Sequence, residues 1–336
     1  MTGNVRVAAY VVLAIAALTL PSVGSAVLAP GTPGTAAGLI GLGGLSVVLA
    51  AALAGFRFAA ITSATTGVLG GAGVAADGQA IAGVAVMVAV AVALGVSARF
   101  SLQQATLTPA ITVAFIVAEA PAQTPLSPLP EGLAFGAALA GYGLAIAALT
   151  AVVGLSRKGP AAAQPSAAAP EPSWTRIWGY VVALSVATIA TTSIALTGGW
   201  GHTGGWLIMT PFIVMLPYVQ DSWRKALRRA AGTVGGFAIA MGLAAVFGQG
   251  PVLTGFGVLF VGLTAYALVK KWPYAAYALV LTPAIVIVES AGRQVEQTAQ
   301  DRLAATLLGV VIAIAITMAI YPIDRYFARR AGIEHF

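Results

Sequence analysis

Apolar residues in this chain fall in long unbroken runs and do not alternate with polar ones. Runs near 5–28, 36–55, 58–75, 80–98, 104–119 and 132–155 are followed by runs near 177–197, 205–219, 232–248, 251–269, 273–289 and 303–322. Most approach the ~20 residues that an α-helix needs to cross a bilayer. Strands of a membrane barrel would instead be ~10-residue segments of alternating polarity. The pattern predicts an all-α integral membrane fold of about twelve transmembrane helices in two sets of six.

Between the sets lies 156–173 (SRKGPAAAQPSAAAPEPS), rich in Pro and Ala and poor in large apolar side chains. Such a stretch reads as a flexible or polyproline-like linker. The expected organisation is a first repeat over 1–155, a cytoplasmic linker over 156–173, and a second repeat over 174–336 ending in a short basic tail. Composition agrees: 59% of residues are hydrophobic and 8% charged, against roughly 25% charged in soluble domains. That excludes a soluble enzyme, a disordered chain and a nucleic-acid binder. With no cysteine there is no disulfide framework or iron–sulfur cluster. The two histidines, His202 and His335, do not make a histidine-rich metal site. Paired carboxylates, a nucleophile–base pair and a phosphate loop are all missing, so neither an enzyme nor a cofactor or metal is expected.

The net charge of +7 acquires its meaning from position. Cytoplasmic segments of membrane proteins carry an excess of Lys and Arg. With the N-terminus inside, Arg6, Arg57, Arg99, Arg157, Lys158, Arg176, Arg224, Lys225, Arg228, Arg229, Lys270, Lys271, Arg325, Arg329 and Arg330 lie on the inner side. Only Arg293 and Arg302 lie on the outer side, whereas Asp77, Glu119, Glu131, Glu289, Glu296 and Asp301 gather there. Both termini are therefore expected in the cytoplasm. The first span has a second reading: Arg6, the run Val7–Leu20, Pro21 and the small residues Gly24-Ser25-Ala26 also resemble a cleavable signal peptide.

An internal repeat supports the two sets. Leu107-Thr108-Pro109-Ala110-Ile111 in the fifth run recurs as Leu281-Thr282-Pro283-Ala284-Ile285 in the eleventh. Each copy follows a basic inner loop and ends near an acid, Glu119 or Glu289. Six helices per half bring both halves into the membrane in the same direction, a parallel repeat.

Several residues are candidates for chemistry. Proline within a span removes a backbone hydrogen bond; Thr108-Pro109, Thr210-Pro211 and Thr282-Pro283 either curve their helices for packing or open carbonyls and a hydroxyl to a pathway. The loop Asp221–Arg229 holds four cations in six residues. It reads either as a short surface helix resting Trp223 and Leu227 in the interface and its cations on anionic lipid, or as a funnel for anions. Gly232 and Gly236 give the Gly-x-x-x-Gly spacing of close helix contact, with Thr233 between them. Glu289, Glu119 and Arg302 stand at the outer boundary, and Glu289 or Glu119 could couple transport to protons if desolvation raised its pKa. His202, in the glycine-rich stretch 198–205, reads as a solvated loop residue.

The order of these features in the second half is distinctive. Trp206-Leu-Ile-Met-Thr210-Pro211 leads to the basic loop, then to Arg229-Ala-Ala-Gly232-Thr233-Val-Gly235-Gly236, then to Leu281-Thr282-Pro283, and last to Arg302-Leu-Ala-Ala-Thr306-Leu-Leu-Gly309. Over roughly 174–324 this resembles the fusaric acid resistance protein-like family, which includes aromatic acid exporters and relatives of plant aluminium-activated malate transporters. Thr66-Gly67-Val-Leu-Gly70-Gly71 is a faint first-half copy of the glycine motif. The sequence departs from the family in two places. Ala305 stands where many members have an acid, and the linker replaces the large cytoplasmic domain of bigger relatives.

The resemblance implies a secondary transporter in a bacterial inner membrane that exports small organic acids, aromatic carboxylates among them, and a homodimer. On this reading the substrate passes Thr108, Thr210 and Thr282, with Arg229, Gly232 and Thr233 on the inner side and Glu289, Arg302 and Thr306 toward the outer. An organic-anion channel and a non-transporting membrane scaffold share the same sequence features.

Overall fold

Backbone amides that leave water must bond to one another, and continuous apolar runs do so most simply as helices. In the computed structural model, which describes residues 3–28, 34–119, 128–155, 173–270, 272–289 and 295–330, the elements are twelve α-helices and one 3-10 turn at Ala98–Phe100. No strand occurs among the described residues. The helices are α1 (Gly3–Leu28), α2 (Gly34–Ala54), α3 (Phe56–Ala75), α4 (Ala80–Ser97), α5 (Gln103–Ala118) and α6 (Pro128–Val152), then α7 (Trp174–Thr197), α8 (His202–Val214), α9 (Val219–Phe247), α10 (Pro251–Val269), α11 (Tyr274–Glu289) and α12 (Val295–Arg330). Among them, eight are long and apolar enough to cross a membrane, while α5, α10 and α11 offer shorter apolar stretches.

Ten of the twelve helices coincide with the predicted runs to within a few residues. The exceptions are α9 and α12. Helix α9 begins at Val219, so the basic segment 221–229 is not a separate surface helix but the first turns of a 29-residue helix. Helix α12 begins at Val295, so Arg302 lies seven residues inside the helix and not just ahead of it. The linker 156–172 lies outside the described residues; Ser173, at its end, caps α7 by accepting a hydrogen bond from the Arg176 amide at 3.3 Å.

The chain divides into two compact units, 1–212 and 213–336. In the first, α3 and α6 pack antiparallel through glycines, with Gly67 against Gly136 and Ala140, and Gly71 against Gly132. Small residues let helices approach closely without a hydrophobic driving force. Polar side chains supply further interhelical bonds there: Ser46 to Thr112 at 3.0 Å, the Ser63 hydroxyl to the Ala140 carbonyl at 2.8 Å, and Gln103 Nε2 to the Tyr180 hydroxyl at 2.8 Å. In the second unit, α9 packs on α11 and α12, and α10 packs on α11. Its apolar core joins Ala240, Leu253, Val286, Ile287, Val295 and Ala299.

Candidate functional site

Helix α9 divides its four clustered cations between two faces. Arg224 and Arg228, four residues apart, are exposed, as are Trp223 and Leu227. Lys225 is half-buried, and Arg229, four residues further along, is 2% exposed. Residues four apart share a helix face, so the two pairs point in different directions. Both readings of the basic segment therefore have a place on one helix: one face suits an interface, and the other carries charge inward. The buried face continues through Ser222, Ala226, Arg229, Gly232, Thr233, Gly236 and Ala240.

The glycines on that face set the register with α11. A Cβ on Gly232 would meet the Ala275 carbonyl oxygen at 2.8 Å, and one on Gly236 would meet the Leu279 carbonyl oxygen at 2.7 Å and Pro283 Cδ at 2.9 Å. Residue numbers rise together, so α9 and α11 run parallel. Pro283 has no amide hydrogen to give the Leu279 carbonyl, and Gly236 lies against that freed oxygen. The Thr282 hydroxyl meanwhile donates to the Ala278 carbonyl at 2.9 Å. This Thr-Pro break is packed over by α9 and its threonine is satisfied within its own helix.

Register with α12 is equally well defined. Ala226 and Ala313 line one small cavity, and Ala240 and Ala299 share one apolar cluster. Numbers run oppositely, so the helices are antiparallel. Counting seven residues from each of these pairs puts Thr233 on α9 and Thr306 on α12 at the same level along the packed helices. Both threonines are buried, and neither hydroxyl has a hydrogen-bond partner among the described residues.

Arg229 and Arg302 are the charged side chains buried among the described residues, each at 2% exposure. The Arg229 Nε has no hydrogen-bond partner there either. Stripping water from a guanidinium costs several kcal/mol, and each unsatisfied buried polar group adds about 1–3 kcal/mol. In a chain that is 59% hydrophobic and 8% charged, such groups are exceptional. Buried arginine and hydroxyl donors are the groups that bond most strongly to acceptor oxygens in an apolar setting.

Residues 186–316 match the family described as fusaric acid resistance protein-like. Over this stretch the chain is similar to that family. Neither the curated proteins nor the solved structures include a match to it. The fusaric acid resistance protein-like region runs from the middle of α7 into α12 and contains every residue of the Arg229 cluster. Together with the eight candidate spans, it makes the chain a multi-pass integral membrane protein.

Of the residues marked from sequence, Arg229, Gly232, Thr233, Thr282, Pro283, Arg302 and Thr306 all lie in the second unit. Thr108, Pro109, Thr210 and Pro211 lie in the first. Thr210 is buried and donates to the Trp206 carbonyl at 2.7 Å, while Thr108 is half-buried and its carbonyl accepts from Thr112 at 3.1 Å. Glu289 closes α11, with its side chain outside the described residues. Glu119 follows α5 and bonds the Nδ1 of His202 at 2.6 Å, and the His202 ring packs 5.1 Å from Phe115. His202 is thus not a solvated loop residue. It opens α8 and ties that helix to the end of α5.

Sequence reading took Lys225 only as one of the four loop cations and passed over Tyr274 and Tyr277. Lys225 Nζ sits 5.6 Å from the Tyr274 ring centroid, and the Tyr274 and Tyr277 rings are 6.2 Å apart. The available signal was spacing: Lys225 precedes Arg229 by four, and the two tyrosines are three apart at the start of α11.

Proposed function

We propose that this protein is a secondary transporter, not an enzyme, that exports small organic acids such as aromatic carboxylates across a bacterial inner membrane. Its twelve helices act as two parallel six-helix halves with both termini in the cytoplasm, and Arg224 and Arg228 rest on anionic lipid. One observation carries the reading: a buried arginine, Arg229, whose Nε has no hydrogen-bond partner among the described residues, on the same buried face of α9 as Thr233, whose hydroxyl, like that of Thr306 on α12, is also without one. A carboxylate would satisfy these donors, and leaving them empty is costly. The family's description, which names resistance to an organic acid, supports export. Glu119 and Glu289 are the proposed proton-coupling groups.

The test is uptake of a panel of radiolabelled aromatic acids into inverted membrane vesicles, with and without a protonophore. Accumulation that the protonophore abolishes supports a proton-coupled exporter. Currents through a planar bilayer that need no proton gradient would convert the reading to an anion channel. No uptake of any acid by vesicles containing folded protein would overturn it.

A further inference from the structure

The first turn of α8 is seated against the end of α5 by small residues and by one polar pair. A Cβ on Gly204 would meet Ala195 Cβ at 3.0 Å and Ala118 Cβ at 3.5 Å, and one on Gly205 would run into the Phe115 ring. Phe115 lies between two side chains of α8, with the His202 ring 5.1 Å away and the Trp206 ring edge-on at 4.9 Å. Phe115 and Trp206 are buried. At the rim of this apolar contact, His202 Nδ1 lies 2.6 Å from Glu119 Oε2, and both side chains are about one-third exposed. An ionised carboxylate only accepts, so Nδ1 carries the hydrogen.

The backbone leading into α8 is permissive. Between the end of α7 at Thr197 and the start of α8 at His202, Gly199 (φ 64°) and Gly201 (φ 50°) take the positive φ that glycine adopts without strain. Contact with α5 therefore decides where the first turn of α8 rests. A cation at the first position of a helix faces the positive end of the helix dipole and is disfavoured there alone. The Glu119 carboxylate reverses that balance, because it suits the same helix end and forms an ion pair with a protonated ring.

The other charged groups at this end do not titrate near neutrality. Of the helices packed on α5, α2 and α7 carry no ionisable side chain here. Helices α3 and α4 are joined by a turn holding Asp77, whose carboxylate accepts from the Gly78 amide at 2.9 Å. Glu131 opens α6, which packs on α3 and α2. Among these groups histidine alone has an ordinary titration range near neutral pH.

We infer that Glu119 and His202 form a pH-operated latch that docks the first turn of α8 on α5. With the proton on His202 the pair is ionic and the turn is held closed. Without it a neutral hydrogen bond remains, and the turn opens more readily. Docking is therefore strongest below the ordinary histidine range, about pH 6.5, and weakens as pH rises through it. On the topology proposed above this end faces outside, so the latch responds to external pH. It concerns the proton on His202 and stands apart from the anion site and from any coupling role of Glu119.

The experiment is hydrogen-exchange mass spectrometry of the purified full chain in lipid nanodiscs at pH 5.5 and pH 8, with rates corrected for the chemical dependence of exchange on pH. Protection of the amides at 203–206 in the wild type should be about twofold greater at pH 5.5, the scale of a partly exposed pair. His202→Gln should give equal protection at both values. Glu119→Gln should abolish the difference or invert it, because the unpaired cation then opposes the helix end. Unchanged protection of α9 peptides in both variants verifies that the fold is intact. Equal protection of the wild type at the two values, or a His202→Gln protein that keeps the wild-type difference, would overturn the latch.

Discussion

Helices α3 and α9 carry the same Gly-x-x-Gly-Gly spacing, at Gly67, Gly70 and Gly71 and at Gly232, Gly235 and Gly236, and the structure uses the two differently. In α3 the glycines seat against the backbone of α6, and the neighbouring hydroxyls are satisfied: Ser63 donates to the Ala140 carbonyl and Thr66 to the Thr62 carbonyl. In α9 the glycines seat against α11, and Thr233 in their midst stays unbonded. Aligning the glycines puts Ala64 where α9 has Arg229, and Val68, which is 71% exposed, where α9 has Thr233. Close helix packing is thus a shared scaffold. What separates the two regions is a cation three residues before the first glycine and a hydroxyl one residue after it, both buried at a cost that packing does not require.

The comparison breaks first at the glycines. Gly236→Val places methyl groups into the Leu279 carbonyl and Thr282, and Gly71→Val into the Gly132 carbonyl. Each should destabilise by about 1–3 kcal/mol, visible as a clear drop in Tm of the detergent-solubilised protein. Equal losses would confirm the common scaffold, and an unchanged Tm for either would remove that helix from it.

A sharper contrast comes from the threonines. Thr233→Val and Thr306→Val remove hydroxyls that bond nothing among the described residues, so Tm should hold or rise while uptake of aromatic acid into vesicles falls about tenfold. Thr66→Val, by contrast, removes a hydroxyl already satisfied within its own helix, and uptake should stay within twofold. A fall in Tm without loss of uptake for Thr233→Val would make that residue structural.

The two faces of α9 give a smaller effect. Replacing exposed Arg224 and Arg228 together by Gln should alter uptake less than threefold in vesicles of neutral lipid, since neither side chain enters the buried face. A loss matching that of the Thr233 variant would move the anion site to the surface.

The smallest effect is expected at the Glu119–His202 pair. Both side chains are about one-third exposed, and pairs of this kind contribute only about 0.5 kcal/mol. Glu119→Gln should therefore lower Tm only slightly, measured at a pH where His202 is protonated. A larger drop would make the pair a main tie between α5 and α8.

Most of the fold is legible in the sequence because a bilayer accepts few kinds of element, and unbroken apolar runs mark nearly all of the helices. The two misplaced helix starts share one physical cause. Arg229 and its basic neighbours end the apolar pattern of α9 before the helix does, and Arg302 with Asp301 and Glu296 does the same to α12. Hydropathy treats a buried cation as an exposed one, so the residues that build the site are those that cut short the predicted helices. The motif residues Arg229, Thr233, Arg302 and Thr306 were marked by their resemblance to a family. Their placement was not legible, because it depends on the register of α9 with α12. Lys225 stood out only as one of four clustered cations, and Tyr274 carries no motif; their pairing became visible only through contact. The Thr-Pro pairs allow either helix curvature for packing or an opening to a pathway, and at Thr282-Pro283 Gly236 lies against the freed carbonyl.

The central claim is that a carboxylate occupies the buried donors around Arg229. It is tested most directly by initial rates of radiolabelled aromatic acid uptake into inverted vesicles containing equal amounts of folded wild-type protein and Arg229→Gln. Truncating one partner of a buried charged contact costs about 2–5 kcal/mol, so the variant should fall to the rate of vesicles lacking the protein. Uptake by Arg229→Gln at the wild-type rate would contradict the account.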